Sequence, residues 1–383
     1  MPLRGIFMKI AILRKDYNTR GGGAEVYAAN MCSALVQRGH EVTVFSETFL
    51  AETNKDIRHV RIKRSFLSGF SRTSSFHRKV QKSLKKYGGD FDLVFALSRT
   101  WPSDVFRVTE SLHAEWMKIR YHKWNRLNPR HRGILKLERD IFKSGNTKLV
   151  VTNSELTKRQ AVENFGFPED RITVVYNGVD HARFHPVENR KEFSKIRNIL
   201  NIDDKKFVLL FPAANFKIKG LENAIRTISL LDETLRNRTL LLVAGGDREE
   251  PYRELAGKLG VSGNIRFVGR KSNMREYYAS ADLLFYPTLY EPFANVCLEA
   301  FSCGLPVLTT SLNGAAEIVR ENVNGFIVPA ASAEDMMARY IAKFANLSEA
   351  ERTGFSDSAY MTSLNYNWTK HVEQLERVFN RLK

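Results

Sequence analysis

Two doubly wound, parallel-sheet α/β domains in tandem are what this sequence predicts, on three observations. Its 383 residues exceed one ordinary core of ~100–200 residues. Short runs of entirely apolar residues, the signature of strands covered on both faces, alternate with stretches of helical period. And that alternation occurs twice, in two series separated by a weakly patterned polar stretch.

The first series opens with the Ile-rich run 9–13, bounded by charge. The glycine loop Gly21-Gly22-Gly23 follows, then apolar residues at helical spacing over 26–36, closed by Arg38-Gly39. The next strand is expected at 40–45, and strand–helix–strand within about forty residues is a parallel βαβ unit. Further strands are expected at 92–96, 148–152 and 171–176, the last ending at the turn Asn177-Gly178. Residues 181–197 turn polar around Pro186 and are read as the linker. The second series has strands at 207–211, 240–244, 265–268, 281–286 and 306–310, with 325–328 at the edge. Residues 368–382 form an amphipathic helix. The expected organisation is therefore 1–190, 191–365 and a terminal helix, 366–383, that packs back on the N-terminal domain. Two such sheets place a crevice at the carboxyl ends of their strands.

Composition narrows the class. Hydrophobic residues make up 43% and charged residues 26%, so the chain is globular and not disordered. Three cysteines (Cys32, Cys297 and Cys303) are too few for a disulfide framework and predict a reducing compartment. No histidines stand at ligand spacing to complete a zinc site, and Asp90-Phe91-Asp92 reads as a solvated turn before a strand; no metal is expected. No stretch reaches the ~18–20 apolar residues of a membrane span. Lys9, Arg14, Lys15 and Asp16 interrupt any apolar leader, so no signal peptide is expected.

The net charge is +17, and residues 58–143 hold 21 Lys+Arg against 7 Asp+Glu, so one quarter of the chain supplies most of the excess. A localised cationic face suits an anionic partner. Interleaved aromatics (Phe66, Phe70, Phe76, Trp101, Trp116, Trp124) would suit single-stranded nucleic acid. The sequence carries no recognisable RNA-binding module, so an anionic membrane surface ranks above nucleic acid.

The chemistry concentrates at 290–307. A strand ends at Pro287-Thr288, a proline turn follows, and a helix begins near Asn295 and stops at Gly304. Its amino end offers backbone N–H groups and a positive dipole to a phosphate. Glu299 lies one turn in, on the face of Asn295, where a carboxylate can accept from the two hydroxyls of a ribose. Glu291 precedes the helix and can reach hydroxyls beyond the phosphates. On position alone, both acids are equally well read as solvated charges favoured by the dipole.

Glu291 and Glu299, with seven residues between them, followed by Ala300 and Gly304-Leu305-Pro306-Val307, resemble the retaining glycosyltransferases of GT-B fold, family 4. So do Gly21-Gly22-Gly23-Ala24-Glu25, Asn153-Ser154, Tyr176-Asn177-Gly178-Val179-Asp180 with Phe184, Lys219-Gly220, Gly245-Gly246-Asp247 and Asn324-Gly325. Stretches 106–116, 131–132 and 137–139 are similar to enzymes that transfer glucose or a related sugar from a nucleotide donor to a heptose of the lipopolysaccharide core.

The resemblance implies a donor site of Gly22, Gly23, Lys219, Arg270, Glu291, Phe293, Ala294, Asn295, Val296 and Glu299. It gives catalytic roles to His113, Glu291 and Lys219. It also implies a UDP-linked hexose as donor, a phosphorylated glycolipid as acceptor, no cofactor, no metal, and a peripheral place on the cytoplasmic face of the membrane. Two positions depart from the pattern: Ala294 replaces a glycine, and Ala214 replaces an arginine that would share the diphosphate charge with Lys219. A salt-bridged structural histidine remains the rival reading of His113. The rival functions are a nucleotide-sugar epimerase of the same fold and a non-catalytic protein binding lipid or nucleic acid.

Overall fold

The computed structural model describes residues 7–18, 22–50, 55–65, 69–87, 89–120, 128–143, 145–188 and 190–383. Gly21, Phe66 and Trp124, named above, lie outside the described residues. The chain forms two compact units, one of residues 1–178 with 368–383 and one of residues 179–367.

The first unit contains β1 (Lys9–Leu13), β2 (Asp16–Asn18), α1 (Gly23–Gln37), β3 (Glu41–Ser46), β4 (Thr48–Leu50) and β5 (Arg58–Arg61). It continues with α2 (Gly69–Leu84), β6 (Leu93–Ala96), β7 (Ser103–Arg107), α3 (His113–Arg120), α4 (Pro129–Phe142), β8 (Thr147–Thr152), α5 (Glu155–Phe165) and β9 (Ile172–Val174). The second holds α6 (Arg190–Ile199), β10 (Phe207–Pro212), α7 (Leu221–Ser229), α8 (Glu233–Arg238), β11 (Thr239–Ala244), α9 (Glu250–Lys258) and β12 (Ile265–Phe267). Then come α10 (Met274–Ser280), β13 (Leu283–Tyr286), α11 (Asn295–Ser302), β14 (Val307–Thr310), β15 (Gly325–Val328), α12 (Glu334–Ala345) and α13 (Glu349–Ser363). The final helix, α14 (Trp368–Asn380), belongs to the first unit.

The sheet of the first unit runs β5-β3-β1-β6-β7-β8-β9, with every pairing parallel. Residues 10–13 of β1 and β6 read as unbroken apolar runs because both faces are covered. Ile10 and Ile12 face one buried cluster, with Tyr27, Met31 and Leu35 of α1 and Val372, Leu375 and Phe379 of α14. Ala11 and Leu13, one residue out of phase, face the other, with Phe76 of α2 and Ile141 and Phe142 of α4. The second sheet runs β12-β11-β10-β13-β14-β15, again all parallel. Here the chain starts at β10, winds out to β12, and returns to β13 on the other side. Neighbouring β10 and β13 therefore send their connections in opposite directions, the place where a doubly wound sheet opens a crevice beyond its carboxyl ends.

Three elements and one boundary differ from the sequence reading. Residues 190–199, inside the expected linker, form α6; its charge density hides a buried side with Ile196 and Arg197. Arg197 is 1% exposed because its guanidinium donates to the carbonyls of Ser280 and Lys206 and to Asp282 Oδ2, so a cation serves as a core residue there. The units meet between Gly178 and Val179, ahead of the boundary read at 190. Strands β5 and β7 carry Arg58, Arg61 and Arg107 and lack the apolar signature; Arg107 is buried with its guanidinium 4.2 Å from the centre of the Tyr27 ring.

Helix α14 is tied to the first unit by more than packing. His371 Nδ1 lies 2.6 Å from the carbonyl oxygen of Tyr176, so this nitrogen carries the proton, and Nε2 accepts from the Tyr27 hydroxyl at 2.8 Å. Burial, followed by the charge of Arg107, pushes the His371 imidazole down to about 3 from 6.5. Below pH 6.5 the unfolded chain takes up a proton there that the folded chain refuses until about pH 3. Stability from this group is complete above pH 6.5 and falls as pH drops, by about 1.4 kcal/mol per pH unit. Denaturation curves between pH 4 and 6 should show that slope, and His371→Gln should flatten it; an unchanged slope would remove His371 as its source.

Candidate nucleotide-sugar site

Lys219 sits on the loop that follows β10, and local bonding fixes its place. Asn215 Oδ1 accepts from the amide of Ile218 at 3.0 Å and closes the turn. The loop is sewn to the exit of β13: Leu289 N and Thr288 Oγ1 both donate to the Ile218 carbonyl, at 2.9 and 3.1 Å. From the other side Asp247 Oδ2 accepts from the amide of Phe216 at 2.8 Å. Gly220 ends the loop at φ +80° and caps α7. A Cβ there would lie 1.9 Å from the carbonyl oxygen of Pro287, so the two loops approach as only glycine permits.

The Lys219 ammonium contacts the Glu291 carboxylate and lies 5.9 Å from the centre of the Tyr286 ring. Burial pushes the ammonium down, to about 8. With that value the ammonium remains largely charged at neutral pH. Lys217, the neighbouring lysine, is solvent-exposed.

The turn from β13 into α11 is held against the loop after β14. Glu291 N donates to the Leu312 carbonyl at 3.0 Å, and Gly314 N donates to the Glu291 carbonyl at 2.9 Å. Alanine at the N-cap has no side-chain acceptor for the first amides of the helix. Asn313 instead holds the N-cap residue itself from across the turn, its Oδ1 accepting from Ala294 N at 3.1 Å while Nδ2 donates to Thr309 Oγ1 at 3.0 Å. Sequence reasoning did not find Asn313. Ala294 has φ −78°, ordinary for any residue, so the methyl that replaces the expected glycine strains nothing. The amides of Asn295 and Val296 head the helix behind buried Phe293.

Glu299, one turn on, is half-buried and accepts a hydrogen bond from the Tyr278 hydroxyl at 2.7 Å. Burial raises its carboxyl above the usual range, opposed by that hydrogen bond and by the charge of Arg183. Arg270 is exposed on the loop after β12, beside Gly246. Cys297 and Cys303 are buried, as small apolar side chains of α11 and its cap.

Gly22, Gly23 and His113 belong to the first unit. Gly22 caps α1 and Gly23 is its first residue. Glu25, in that first turn, pairs with buried Arg14 at 2.8 Å. His113 opens α3, its amide donating to Glu138 Oε1 at 2.6 Å, as the amide of Ala114 does to Oε2 at 3.0 Å. Buried Glu138 thus caps the helix and also pairs with Arg99 at 3.0 Å. His113 Nε2 lies 2.9 Å from His131 Nδ1. Burial, then the charges of Arg99, His131 and Arg130, push His113 down to about 4, so it is a neutral hydrogen-bonding group at physiological pH. Among the described residues no group of three or more His, Cys, Asp or Glu is arranged to hold a metal ion.

Comparison with known proteins adds to this geometry. A family model described as glycosyl transferases group 1 matches residues 192–360, and one described as glycosyltransferase family 4 matches residues 21–183. The lipopolysaccharide glucosyltransferase WaaG of Escherichia coli is 27% identical over 328 residues, 84% of this chain and 86% of that protein. The crystal structure of WaaG superposes with a TM-score of 0.84 at 24% identity, covering 97% of this chain and 99% of that one. Anabaena HepE in complex with UDP-glucose gives a TM-score of 0.75 at 18% identity, covering 98% of this chain and 100% of that one.

Proposed function

Because the chain belongs to the GT-B glycosyltransferases of the family 4 type, with both of its halves matched, we propose that it transfers a hexose, glucose by likeness to WaaG, from UDP to a heptose of a lipopolysaccharide core or a similar phosphorylated glycolipid, with retention of configuration. One observation carries the reading: the loop bearing Lys219, the Glu291 turn and the head of α11 are bound together at the switch point of the second sheet. Backbone amides, an ammonium and two carboxylates gathered there suit the diphosphate, sugar and ribose of one nucleotide sugar. The UDP-glucose held by HepE, a protein of the same fold, supports the choice of donor.

In this mechanism the acceptor hydroxyl attacks the anomeric carbon on the face from which UDP departs. The anomeric C–O bond to the diphosphate breaks, and the acceptor proton passes to the departing phosphate oxygen. The protein positions both partners and stabilises the charge that develops on the diphosphate. Lys219 and the amides of Asn295 and Val296 take that role, without a resident metal. Glu291 holds sugar hydroxyls and Glu299 the ribose. His113, toward the sugar near the reacting carbon, and Gly22 and Gly23, toward the phosphates, are given these roles by the family resemblance alone.

The acceptor rests on the likeness to WaaG, and charge supports the location. Helices α2 and α4 pack on one another. They and the residues that follow them expose Arg78, Lys82, Lys85, Lys86, Arg130, Arg132, Lys136, Arg139 and Lys143. No helix of the described residues is long and apolar enough to cross a membrane. A face of this kind attaches reversibly to anionic lipid at ~1 kcal/mol per nearby cation, consistent with a peripheral site on the cytoplasmic leaflet.

The test is UDP release from UDP-glucose, with core acceptor presented in anionic or neutral vesicles. Release is expected only with acceptor, and faster on anionic vesicles. Isomerised donor without acceptor would identify an epimerase. No turnover or UDP binding under any condition would leave the non-catalytic reading.

A further inference from the structure

Glu299 has a partner that nothing in its own helix supplies. Tyr278 reaches it from α10, 21 positions earlier in the chain, and its hydroxyl donates to Oε2 at 2.7 Å. The tyrosine is 1% exposed. Phe184 lies across its ring in an edge-on contact, centroids 5.9 Å apart, and is itself held by Ser302 Oγ of α11, which donates to the Phe184 carbonyl at 2.6 Å. The ring therefore cannot swing away without displacing the linker to α11. A phenol carries one proton, and this one is committed to Glu299. Burial, with the facing carboxylate, pushes the phenol well above its ordinary value, so it remains a donor.

We propose that Tyr278 is the positioning residue for ribose recognition: its hydroxyl locks the Glu299 carboxylate in the one orientation that accepts hydrogen bonds from both hydroxyls of the nucleotide's ribose. This rests on the reading of the second unit as a nucleotide-sugar site. The chemistry is one of acceptor geometry. A carboxylate has about four lone-pair directions, and on a long side chain it turns freely; two hydroxyls on adjacent ring carbons match it only when the carboxylate plane is fixed. Tyr278 occupies one direction at Oε2 and leaves the rest of a half-buried carboxylate to a ligand. It also keeps Glu299 an acceptor despite the burial that favours its protonated form.

The experiment is calorimetry on the full chain with UDP and with 2′,3′-dideoxy-UDP, which lacks both hydroxyls. The wild type should bind UDP at least tenfold more tightly. Tyr278→Phe, which removes a single oxygen, should weaken UDP about tenfold (about 1.4 kcal/mol) and leave the dideoxy compound within about twofold. Glu299→Gln is the control on the underlying reading and should lose the discrimination as well. Equal weakening of both nucleotides by Tyr278→Phe means a merely structural tyrosine and overturns the proposal. Discrimination that survives Tyr278→Phe but is lost in Glu299→Gln does the same while sparing the ribose reading. Discrimination intact in Glu299→Gln removes the ribose reading and the proposal together.

Discussion

Lys219→Ala is expected to lower kcat/KM for donor by about 10²–10³-fold while leaving thermal unfolding close to wild type. The size follows from what one preorganised charge is worth where negative charge develops in a transition state, about 2.7–4 kcal/mol. The upper part of that range is expected here, because the companion position is Ala214 and Lys217 faces solvent. Burial strengthens the effect, since an ammonium withdrawn from water acts through a lower effective dielectric. The variant also leaves Glu291 without its contacting cation. UDP binding should weaken as well, by less than kcat/KM, because part of the interaction is realised only as the bond to the sugar breaks. Steady-state UDP release and calorimetry with UDP measure the two quantities. Unchanged kinetics would falsify the placement of the diphosphate.

The pairing in the free protein sharpens that expectation. Lys219 touches Glu291, one residue assigned to phosphate and the other to sugar hydroxyls, so each satisfies the other's charge before donor arrives. Binding must exchange this ion pair for two sets of contacts with the ligand. With side chains 18% and 22% exposed, the pair is largely withdrawn from water, so the donor's own contacts must replace what each charge loses as it opens.

What the sequence makes legible is what both faces of a sheet dictate. Residues 10–13, 207–211 and 240–244 can be read as strands because every side chain in them must be apolar when helices cover both sides. Strand β7 cannot be read so, since Arg107 is buried through a ring contact with Tyr27, 80 positions earlier in the chain. Helix α6 was hidden for the same reason: the cation of Arg197 is neutralised by Asp282 and by carbonyls distant in sequence. The site divides in the same way. Lys219, Glu291 and Glu299 announce themselves because their spacing follows a strand–turn–helix unit and is local. Asn313, which accepts from Ala294 N 19 residues away, and Tyr278, 21 residues from Glu299, act only through the folded chain. No local pattern marks a residue whose role is to orient another.

Gly220→Ala is the second large expectation, and it separates a glycine the fold requires from one it does not. At Ala294 the family pattern has glycine, yet φ is −78° and a methyl is accommodated. At Gly220 the residue is left-handed, φ +80°, which costs an L-residue roughly 1–2 kcal/mol. The added Cβ would also lie 1.9 Å from the Pro287 carbonyl oxygen, an atom of backbone that cannot rotate aside. Relief requires the loops after β10 and β13 to part, which breaks the bonds from Thr288 and Leu289 to the Ile218 carbonyl. Overpacking of this kind costs a further 1–3 kcal/mol. The sum, about 2–5 kcal/mol, should lower the unfolding temperature by roughly 5 °C or more for a unit of this size. Lys219 is the residue next to the strained one, so any protein that remains folded should also carry its ammonium out of place and lose donor affinity. Calorimetric melting and UDP titration report the two effects, and a variant with wild-type melting and wild-type UDP affinity would show that the loops are not in the contact that fixes Lys219.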